Sequence, residues 1–173
     1  VASFSDYKDY DLFVNVAAEA KKLFPDLTFV AVGDGPEWER IRKRVDVENV
    51  TNIILMGHRE NIEPYVAASD IGLMCTITEG ISNSIIEYMA LGKPVISTDT
   101  KGASKEIIIE GETGFCTERN TNSVIQKLTI LLNNEELRVA MGANGKERIV
   151  KYFSFESFGN GFVSVYKDVT GNL

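Results

Sequence analysis

Short apolar runs alternate with longer amphipathic segments along almost the whole chain, and this alternation restricts the fold more than any other feature. Residues 27–32, 53–56, 71–77 and 94–97 are compact apolar runs, bounded mostly by Gly, Pro, Asn or Asp. The segment 11–24, ahead of the first of these runs, has apolar residues at helical spacing. Strands this apolar are buried on both faces, which is typical of a parallel sheet covered by helices on each side.

The alternation predicts one α/β, Rossmann-like domain over residues 1–173, with a parallel sheet of about six strands and helices on both faces. Right-handed crossovers are expected, so a ligand should lie beyond the carboxyl ends of the strands. Pro36 is expected to open one helix and Gly92 to end another. The predicted strands are 1–4, 27–32, 53–56, 71–77, 94–97 and 114–116, and the predicted helices are 11–24, 36–47, 62–68, 83–91, 104–109, 121–132, 135–151 and 154–168.

Composition removes some classes of function. Hydrophobic residues make up 44% and charged residues 25% of the chain, as in a soluble globular domain with its own core. No apolar run approaches the roughly 20 residues of a membrane-spanning helix. The net charge is −7 and the basic residues are scattered, so no nucleic-acid partner is expected. His58 is the only histidine, and Cys75 and Cys116 are isolated, so no metal site is expected.

The segment EGISNSIIEYMALGKPVIST, residues 79–98, holds the strongest functional signal. Its predicted helix starts near Ser82–Ser84, just after a predicted strand, and Gly80 permits a sharp turn between them. The free N–H groups and positive dipole end of such a helix favour an anion, the dipole by up to ~2 kcal/mol. Glu79 and Glu87 flank that position, and a carboxylate accepts two hydrogen bonds from a diol. A phosphate between two polyols, as in a nucleotide-sugar, would fit this arrangement.

Simpler interpretations of these acids stay open. Ser84-Ile-Ile-Glu87 matches a capping box, in which Glu87 only returns to the backbone at the helix start. Glu79 is equally typical of a solvated loop acid. A pair of carboxylates also occurs in glycosidases, where one acid needs a raised pKa in an apolar pocket.

Two other patterns have structural explanations. Gly33-x-Gly35 hints at a dinucleotide fingerprint, but Trp38 occupies the position of the third glycine, so a tight strand-to-helix turn is the better interpretation. Near the C-terminus, aromatic residues recur on one face of a predicted helix. This face predicts packing in the core or against another domain, and its residues are Phe155, Phe158, Phe162 and Tyr166.

An ordered series of short motifs surrounds the segment 79–98. The central ones are Glu79-Gly80, Ser82-Asn83-Ser84, Glu87-Tyr88-Met89-Ala90, Gly92-Lys93-Pro94-Val95-Ile96 and Gly102-Ala103-Ser104-Lys105-Glu106. The flanking ones are Val32-Gly33-Asp34-Gly35-Pro36, Gly57, Asn61-Ile62, Tyr65, Ala68-Ser69-Asp70 and Gly111-x-x-Gly114-Phe115. Together they resemble the E-x7-E pattern and its neighbours in the retaining glycosyltransferases of family 4, which have two facing Rossmann-like domains (the GT-B fold). The resemblance covers nearly the whole chain, as the C-terminal, donor-binding domain.

The resemblance implies a role for individual residues. Glu79 would contact the donor sugar, and Lys8 would neutralise the diphosphate, which makes these two the predicted catalytic residues. Where the family usually has an Arg before this Lys, the chain has Ser3. Backbone amides near the helix start would hold the diphosphate, Glu87 would bind the ribose, and the loop with the histidine would border the base. The predicted substrate-binding residues are Glu87, Gly80, Ile81, Ser82, Asn83, Ser84, Gly33, His58 and Arg59.

The sequence thus predicts a nucleotide-sugar-binding domain, the C-terminal half of a retaining, hexosyltransferase-type enzyme of polysaccharide or glycolipid synthesis. Its donor would be a UDP- or GDP-sugar, used without a cofactor or a metal. The chain opens at Val1 without a methionine, so we expect a longer protein whose N-terminal acceptor domain is absent from this piece. Alone, the piece should bind nucleotide but transfer little or no sugar.

Other functions stay open at this stage. The alternatives are a sugar-nucleotide epimerase of related fold, a receiver-like signalling domain, and a non-catalytic nucleotide-binding or interaction domain. We expect a cytoplasmic location, and peripheral association with the cytoplasmic face of a membrane, through the absent domain, is left open. No nucleic-acid partner is expected in any of these cases.

Overall fold

The computed structural model describes residues 1–77, 80–98 and 103–171, and these contain the predicted alternation of strands and helices. The strands are β1 (Phe29–Val32), β2 (Ile53–Gly57), β3 (Gly72–Met74), β4 (Val95–Thr98) and β5 (Gly114–Thr117). The helices are α1 (Tyr10–Leu23), α2 (Trp38–Val47), α3 (Glu63–Ala67), α4 (Asn83–Ala90), α5 (Ala103–Ile107), α6 (Thr121–Leu132), α7 (Glu135–Tyr152) and α8 (Phe155–Thr170). No helix in this part of the chain is long and apolar enough to cross a membrane.

Every strand pairing is parallel, which confirms the α/β class. β1 pairs with β2, while β4 lies between β3 and β5 in a second sheet. The expected single sheet of about six strands is therefore, over the described residues, five strands in two sheets. The difference arises at residues 1–4, which bond to the end of β1 through Ala2 and Phe4 but form no ladder with β3.

Helices cover both faces of the sheets, as predicted. In β4, the neighbouring residues Val95 and Ile96 are both fully buried and point to opposite faces. Val95 packs in a cluster with residues of α4, α5 and α7, whereas Ile96 packs in a cluster with residues of α1 and α6. Burying one such side chain contributes about 1.5–3 kcal/mol, so the central strand anchors both helical layers.

One predicted helix end is confirmed, and one predicted helix start is wrong. Gly92 follows the end of α4 with a φ of 71°, the left-handed conformation that favours glycine, so this prediction is confirmed. Pro36, predicted as the first residue of α2, instead precedes a helix that begins at Trp38. The cause is tertiary, because the Glu37 N–H donates to the Phe4 carbonyl at 2.9 Å and the turn holds the start of the chain.

α7 crosses the turn after α4 at a separation that only glycine allows. A Cβ atom at Gly142 would lie 1.9 Å from the Gly92 carbonyl oxygen. Three residues further along α7, a Cβ atom at Gly145 would lie 3.4 Å from Cγ of Met89, an ordinary contact with a flexible side chain. The backbone contact between Gly142 and Gly92 thus fixes α4, the helix of the predicted anion site, against α7.

α8 keeps its aromatic face in solvent. Phe155 is 98% exposed, Phe162 54% and Tyr166 60%. The side chain of Phe158 lies outside the described part of the chain. The prediction that this face packs in the core of this chain is therefore wrong for the three described residues. Packing against another domain stays a prediction.

Candidate functional site

The predicted site residues follow the carboxyl ends of three strands. Gly33 follows β1, His58 and Arg59 follow β2, and Gly80–Ser84 follow β3. Lys8 lies on the loop ahead of α1. Because parallel strands bring their carboxyl ends to one edge, this is the edge where a ligand is expected.

Residues 1–8, here called the N-terminal segment, link the two sheets at this edge. On one side, the Ala2 N–H donates to the Val32 carbonyl at 3.0 Å. On the other, the Ile77 N–H donates to the Tyr7 carbonyl at 2.8 Å. The N-terminal segment therefore lies between the end of β1 and the residues that follow β3.

Gly33 packs directly against the N-terminal segment. A Cβ atom at this position would lie 1.9 Å from the Ala2 carbonyl oxygen, and the φ of Gly33 is 146°. Both the contact and the backbone conformation require glycine here. The sequence indicated a tight turn at Gly33 but not its packing against Ala2, and its contact with a substrate stays a prediction.

Lys8 is buried, with an exposed fraction of 9%. Its Nζ lies 3.8 Å from Sδ of Met74 and 5.6 Å from the centroid of the Tyr7 ring. Burial lowers the pKa of the Val1 amino group to about 6, the charge of Glu87 raises it, and the charge of Lys8 lowers it. A cation with little access to water interacts strongly with an anion, because solvent screens the pair less.

α4 begins at Asn83, with Ser82 at the cap position, whereas a capping box would require Ser84 there. Ser84 instead donates from Oγ to the Val1 carbonyl at 2.8 Å. The capping-box interpretation of Glu87 is therefore wrong, and Ser84 ties α4 to the N-terminal segment. As in any α-helix, the N–H groups of the first turn of α4 lack acceptors within the helix, and they remain suited to bind an anion.

Glu87 is half-buried on α4. Burial raises the pKa of its carboxyl group, and the positive amino group of Val1 lowers it by less. A carboxylate in such a place destabilises the fold unless hydroxyl or other donors bond to it. The predicted contact of Glu87 with a ribose stays a prediction.

Replacing Glu87 by glutamine should stabilise the unliganded chain at neutral pH. Because the folded pKa is raised, the stability that the neutral carboxyl contributes is complete below the usual value of 4.5 and is lost as the pH rises through the folded pKa. Glutamine stays neutral throughout, so the gain in unfolding free energy, from urea denaturation, should be larger at about pH 7 than at about pH 4. The exposed Glu147→Gln is the matched control, and an equal gain for Glu87→Gln at both pH values would contradict the prediction.

Three other predicted residues around the start of α4 are exposed, namely Gly80, Ile81 and Asn83, whereas Ser82 is buried with an exposed fraction of 3%. Glu79 lies outside the described residues, so its role stays a prediction. Ile81 is 59% exposed, Asn83 is also exposed, and a Cβ atom at Gly80 would meet nothing within 4 Å. The surface ahead of α4 is thus accessible to a ligand.

His58 and Arg59 form an exposed rim beside Gly33. The Gly33 N–H donates to the Gly57 carbonyl at 3.0 Å, which joins the ends of β1 and β2. Arg59 donates from Nε to the Tyr65 hydroxyl at 3.1 Å and from a terminal nitrogen to the His58 carbonyl at 2.8 Å. The arginine is therefore held over the loop that the sequence predicted at the base side of the ligand.

Tyr88 is a neighbour of the site that the sequence analysis missed. Its hydroxyl accepts a hydrogen bond from the Val1 amino group, and burial raises its pKa, so it stays neutral. A Cβ atom at Gly72 would lie 2.5 Å from the Tyr88 ring, so β3 and α4 fit together through a small and a large residue. The only sequence signal was the adjacency of Tyr88 to Glu87.

A metal site was not predicted. Within residues 1–77, 80–98 and 103–171, no group of three or more His, Cys, Asp or Glu side chains is placed to hold a metal ion. A metal-independent site stays a prediction, because this statement covers only those described residues.

Comparison with known sequences gives a family match. Residues 1–134 match the family described as Glycosyl transferases group 1. An uncharacterized glycosyltransferase from Methanocaldococcus jannaschii is 31% identical over 173 residues, which cover 98% of this chain and 47% of that protein. The chain spans less than half the length of the first curated relatives it matches.

Solved structures share the fold. A variant of TarM from S. aureus, in complex with fondaparinux, alpha-GlcNAc-glycerol and UDP, aligns with a TM-score of 0.89 at 24% identity, over 95% of this chain and 34% of that one. The C-terminal domain of a glycosyl transferase group 1 family protein (LpcC) from Francisella tularensis aligns with a TM-score of 0.78 at 24% identity, over 88% of this chain and 83% of that one.

Proposed function

The chain belongs to the glycosyl transferases group 1 family, and from this we propose that it is the donor-binding domain of a retaining glycosyltransferase that uses a nucleoside-diphosphate sugar. The observation that supports the proposal is that α4, which carries Glu87, is bonded through Ser84 to the N-terminal segment, which carries the buried Lys8, at the carboxyl edge. A cation and the start of a helix suit a diphosphate, and a half-buried acid suits a diol. UDP is present in the TarM complex that shares this fold.

Each group has a separate part in this proposal. Lys8 and the first N–H groups of α4 hold the diphosphate, and Glu87 accepts hydrogen bonds from the ribose. Glu79 contacts the donor sugar. His58 and Arg59 border the base, beside Gly33 at the end of β1.

In the reaction, the bond between the anomeric carbon and the diphosphate oxygen breaks. A bond from the same carbon to an acceptor oxygen forms on the same face of the sugar, and the proton of the acceptor hydroxyl passes to an oxygen of the departing diphosphate. This domain contributes positioning of the donor and stabilisation of the charge on the departing diphosphate. Lys8 and α4 supply that stabilisation, so the proposed site works without a metal or a cofactor.

The acceptor is expected to bind a second domain. The chain spans less than half of its curated relatives, and the LpcC structure with the same fold is a C-terminal domain. The proposal places this chain as the C-terminal half of a cytoplasmic enzyme of polysaccharide or glycolipid synthesis, with an N-terminal acceptor domain that also accounts for any membrane association. The 173 residues alone should bind the donor nucleotide and transfer little or no sugar.

Calorimetric titration of UDP and of GDP into the chain tests the proposal. One of the two should bind, and the preference would assign the base. Glu87→Gln should weaken that binding by about 10- to 100-fold, because charge-assisted hydrogen bonds to the ribose are lost. Glu147→Gln, at an exposed position of α7, should leave the affinity unchanged. Absence of binding by both nucleotides, or equal affinity in the Glu87→Gln variant, would overturn the assignment.

A further inference from the structure

Asp9 fixes the loop that carries Lys8. Its N–H donates to the Cys75 carbonyl at 3.2 Å, just beyond the end of β3. Its Oδ1 accepts the Leu12 N–H at 3.0 Å and so caps the start of α1. The Lys8 N–H donates to the Ser5 carbonyl at 3.0 Å. The side chain of Lys8 therefore extends from a backbone that is held at the lysine itself and at the next residue.

Arg119 binds the second oxygen of the Asp9 carboxylate. A terminal nitrogen of the guanidinium donates to Oδ2 of Asp9 at 3.2 Å, although the two residues are 110 positions apart. Arg119 lies in the short connection between β5, which ends at Thr117, and α6, which is capped by Asn120. The ion pair thus joins the loop of Lys8 to the connection that follows β5.

The carboxylate of Asp9 is an unfavourable charge at an edge that is proposed to bind a diphosphate. It directly follows Lys8 in the chain, and its side chain is only 17% exposed, so water screens it little. Without a partner, it would repel a bound anion and attract the charge of Lys8, and both effects would lower the affinity for a diphosphate. Arg119 supplies the opposite charge that reduces both effects.

Stability gives only a small part of the explanation for this ion pair. The side chain of Arg119 is 47% exposed, and ion pairs with an exposed partner contribute little to the free energy of unfolding. The start of α1 keeps its cap from the other oxygen of Asp9, whether or not Arg119 is present. The main effect of the ion pair is therefore on the charge beside Lys8 and not on the fold.

We infer that Arg119 is a positioning residue for the diphosphate site. It holds and neutralises the Asp9 carboxylate, so that the charge of Lys8 stays available to the ligand. The inference rests on the proposed function, because it concerns the same site and the same diphosphate.

Calorimetric titration of Arg119→Met tests this role. The variant should bind UDP about 5- to 10-fold more weakly than the native chain, because the Asp9 carboxylate loses its opposite charge. The affinity for uridine, which lacks the diphosphate, should stay the same. Arg42→Met is the matched control, since Arg42 is also exposed and paired with an acid, Glu39, at 2.8 Å, but lies on α2. GDP and guanosine take the place of UDP and uridine if the chain selects GDP.

A second background separates charge from structure. Asp9→Asn removes the negative charge and keeps the cap of α1, because asparagine caps a helix as well as aspartate does. In this background, Arg119→Met should change UDP affinity by less than about twofold, since no carboxylate is left to neutralise. A structural role of Arg119 would instead give the same loss in both backgrounds.

Three results would overturn the inference while the proposed function stands. They are unchanged UDP affinity in Arg119→Met, equal losses for UDP and uridine, and the same loss of UDP affinity with Asp9 and with Asn at that position. If the native chain binds neither UDP nor GDP, the proposed function fails and the role of Arg119 fails with it.

Discussion

Replacing Lys8 by methionine is expected to weaken the binding of UDP by about 10- to 100-fold, since a hydrogen bond to a charged group contributes about 1.5–3 kcal/mol. Methionine keeps a long apolar side chain next to Met74 but removes the charge. The burial of Lys8 makes the effect large, because a diphosphate beside it is poorly screened by water. The change in affinity should appear in calorimetric titrations of the variant with UDP.

Uridine distinguishes neutralisation of the diphosphate by Lys8 from an effect of Lys8 on the fold. It lacks the diphosphate, so its affinity should be the same for the native chain and for Lys8→Met. Lys43→Met, at an exposed position of α2, controls for the loss of one positive charge from the whole protein and should leave UDP affinity unchanged. If Lys8→Met lowers the affinities of uridine and UDP equally, the lysine acts by holding the fold and not by neutralising the diphosphate. GDP and guanosine replace this pair if the chain selects GDP.

Gly142→Ala should lower the free energy of unfolding by about 3 kcal/mol or more, in the range of severe overpacking. The new methyl group would lie 1.9 Å from the Gly92 carbonyl oxygen, and the clash involves backbone on both sides. Alanine is the better helix former by about 1 kcal/mol, which offsets only part of the cost. For a chain of this size the melting temperature should fall by roughly 6–12 °C, measured by calorimetry or circular dichroism.

Gly145→Ala is the matched control for this prediction. It makes the same chemical change in the same helix, but its methyl group would meet the movable side chain of Met89. The helix-forming preference of alanine should then dominate and leave the stability unchanged or raised by about 0.5–1 kcal/mol. Similar effects of both substitutions would show that helix propensity, and not the contact of α7 with Gly92, decides the result.

The fold was predictable where the signals are local. The alternation of apolar runs and helical spacing identified the α/β class, and Gly92 marked the end of α4 through its own backbone conformation. The start of α2 was not predictable, because the Glu37 N–H bonds to Phe4 in a different part of the chain. The capping box failed for a similar reason, since Ser84 bonds to Val1, 83 residues away. Tertiary hydrogen bonds decided both cases.

The site was predictable to a smaller extent. Charge and spacing directed attention to Glu87 and to the start of α4, but the role of Lys8 came from the resemblance alone. Nothing in the sequence indicates that Lys8 is buried or that Tyr88 contacts Val1, because both facts depend on segments that meet only after folding. The break between the two sheets was equally unpredictable. It depends on residues 1–4, which bond to the end of β1 through Ala2 but form no ladder with β3.

The outward aromatic face of α8 has a practical consequence for work with the isolated chain. Phe155, Phe162 and Val169 all keep more than half of their surface in water. Contiguous apolar surface of this kind promotes association between copies, and kosmotropic salts strengthen such association. Dilute samples and weakly salting-out buffers are therefore the suitable conditions for every titration on these 173 residues.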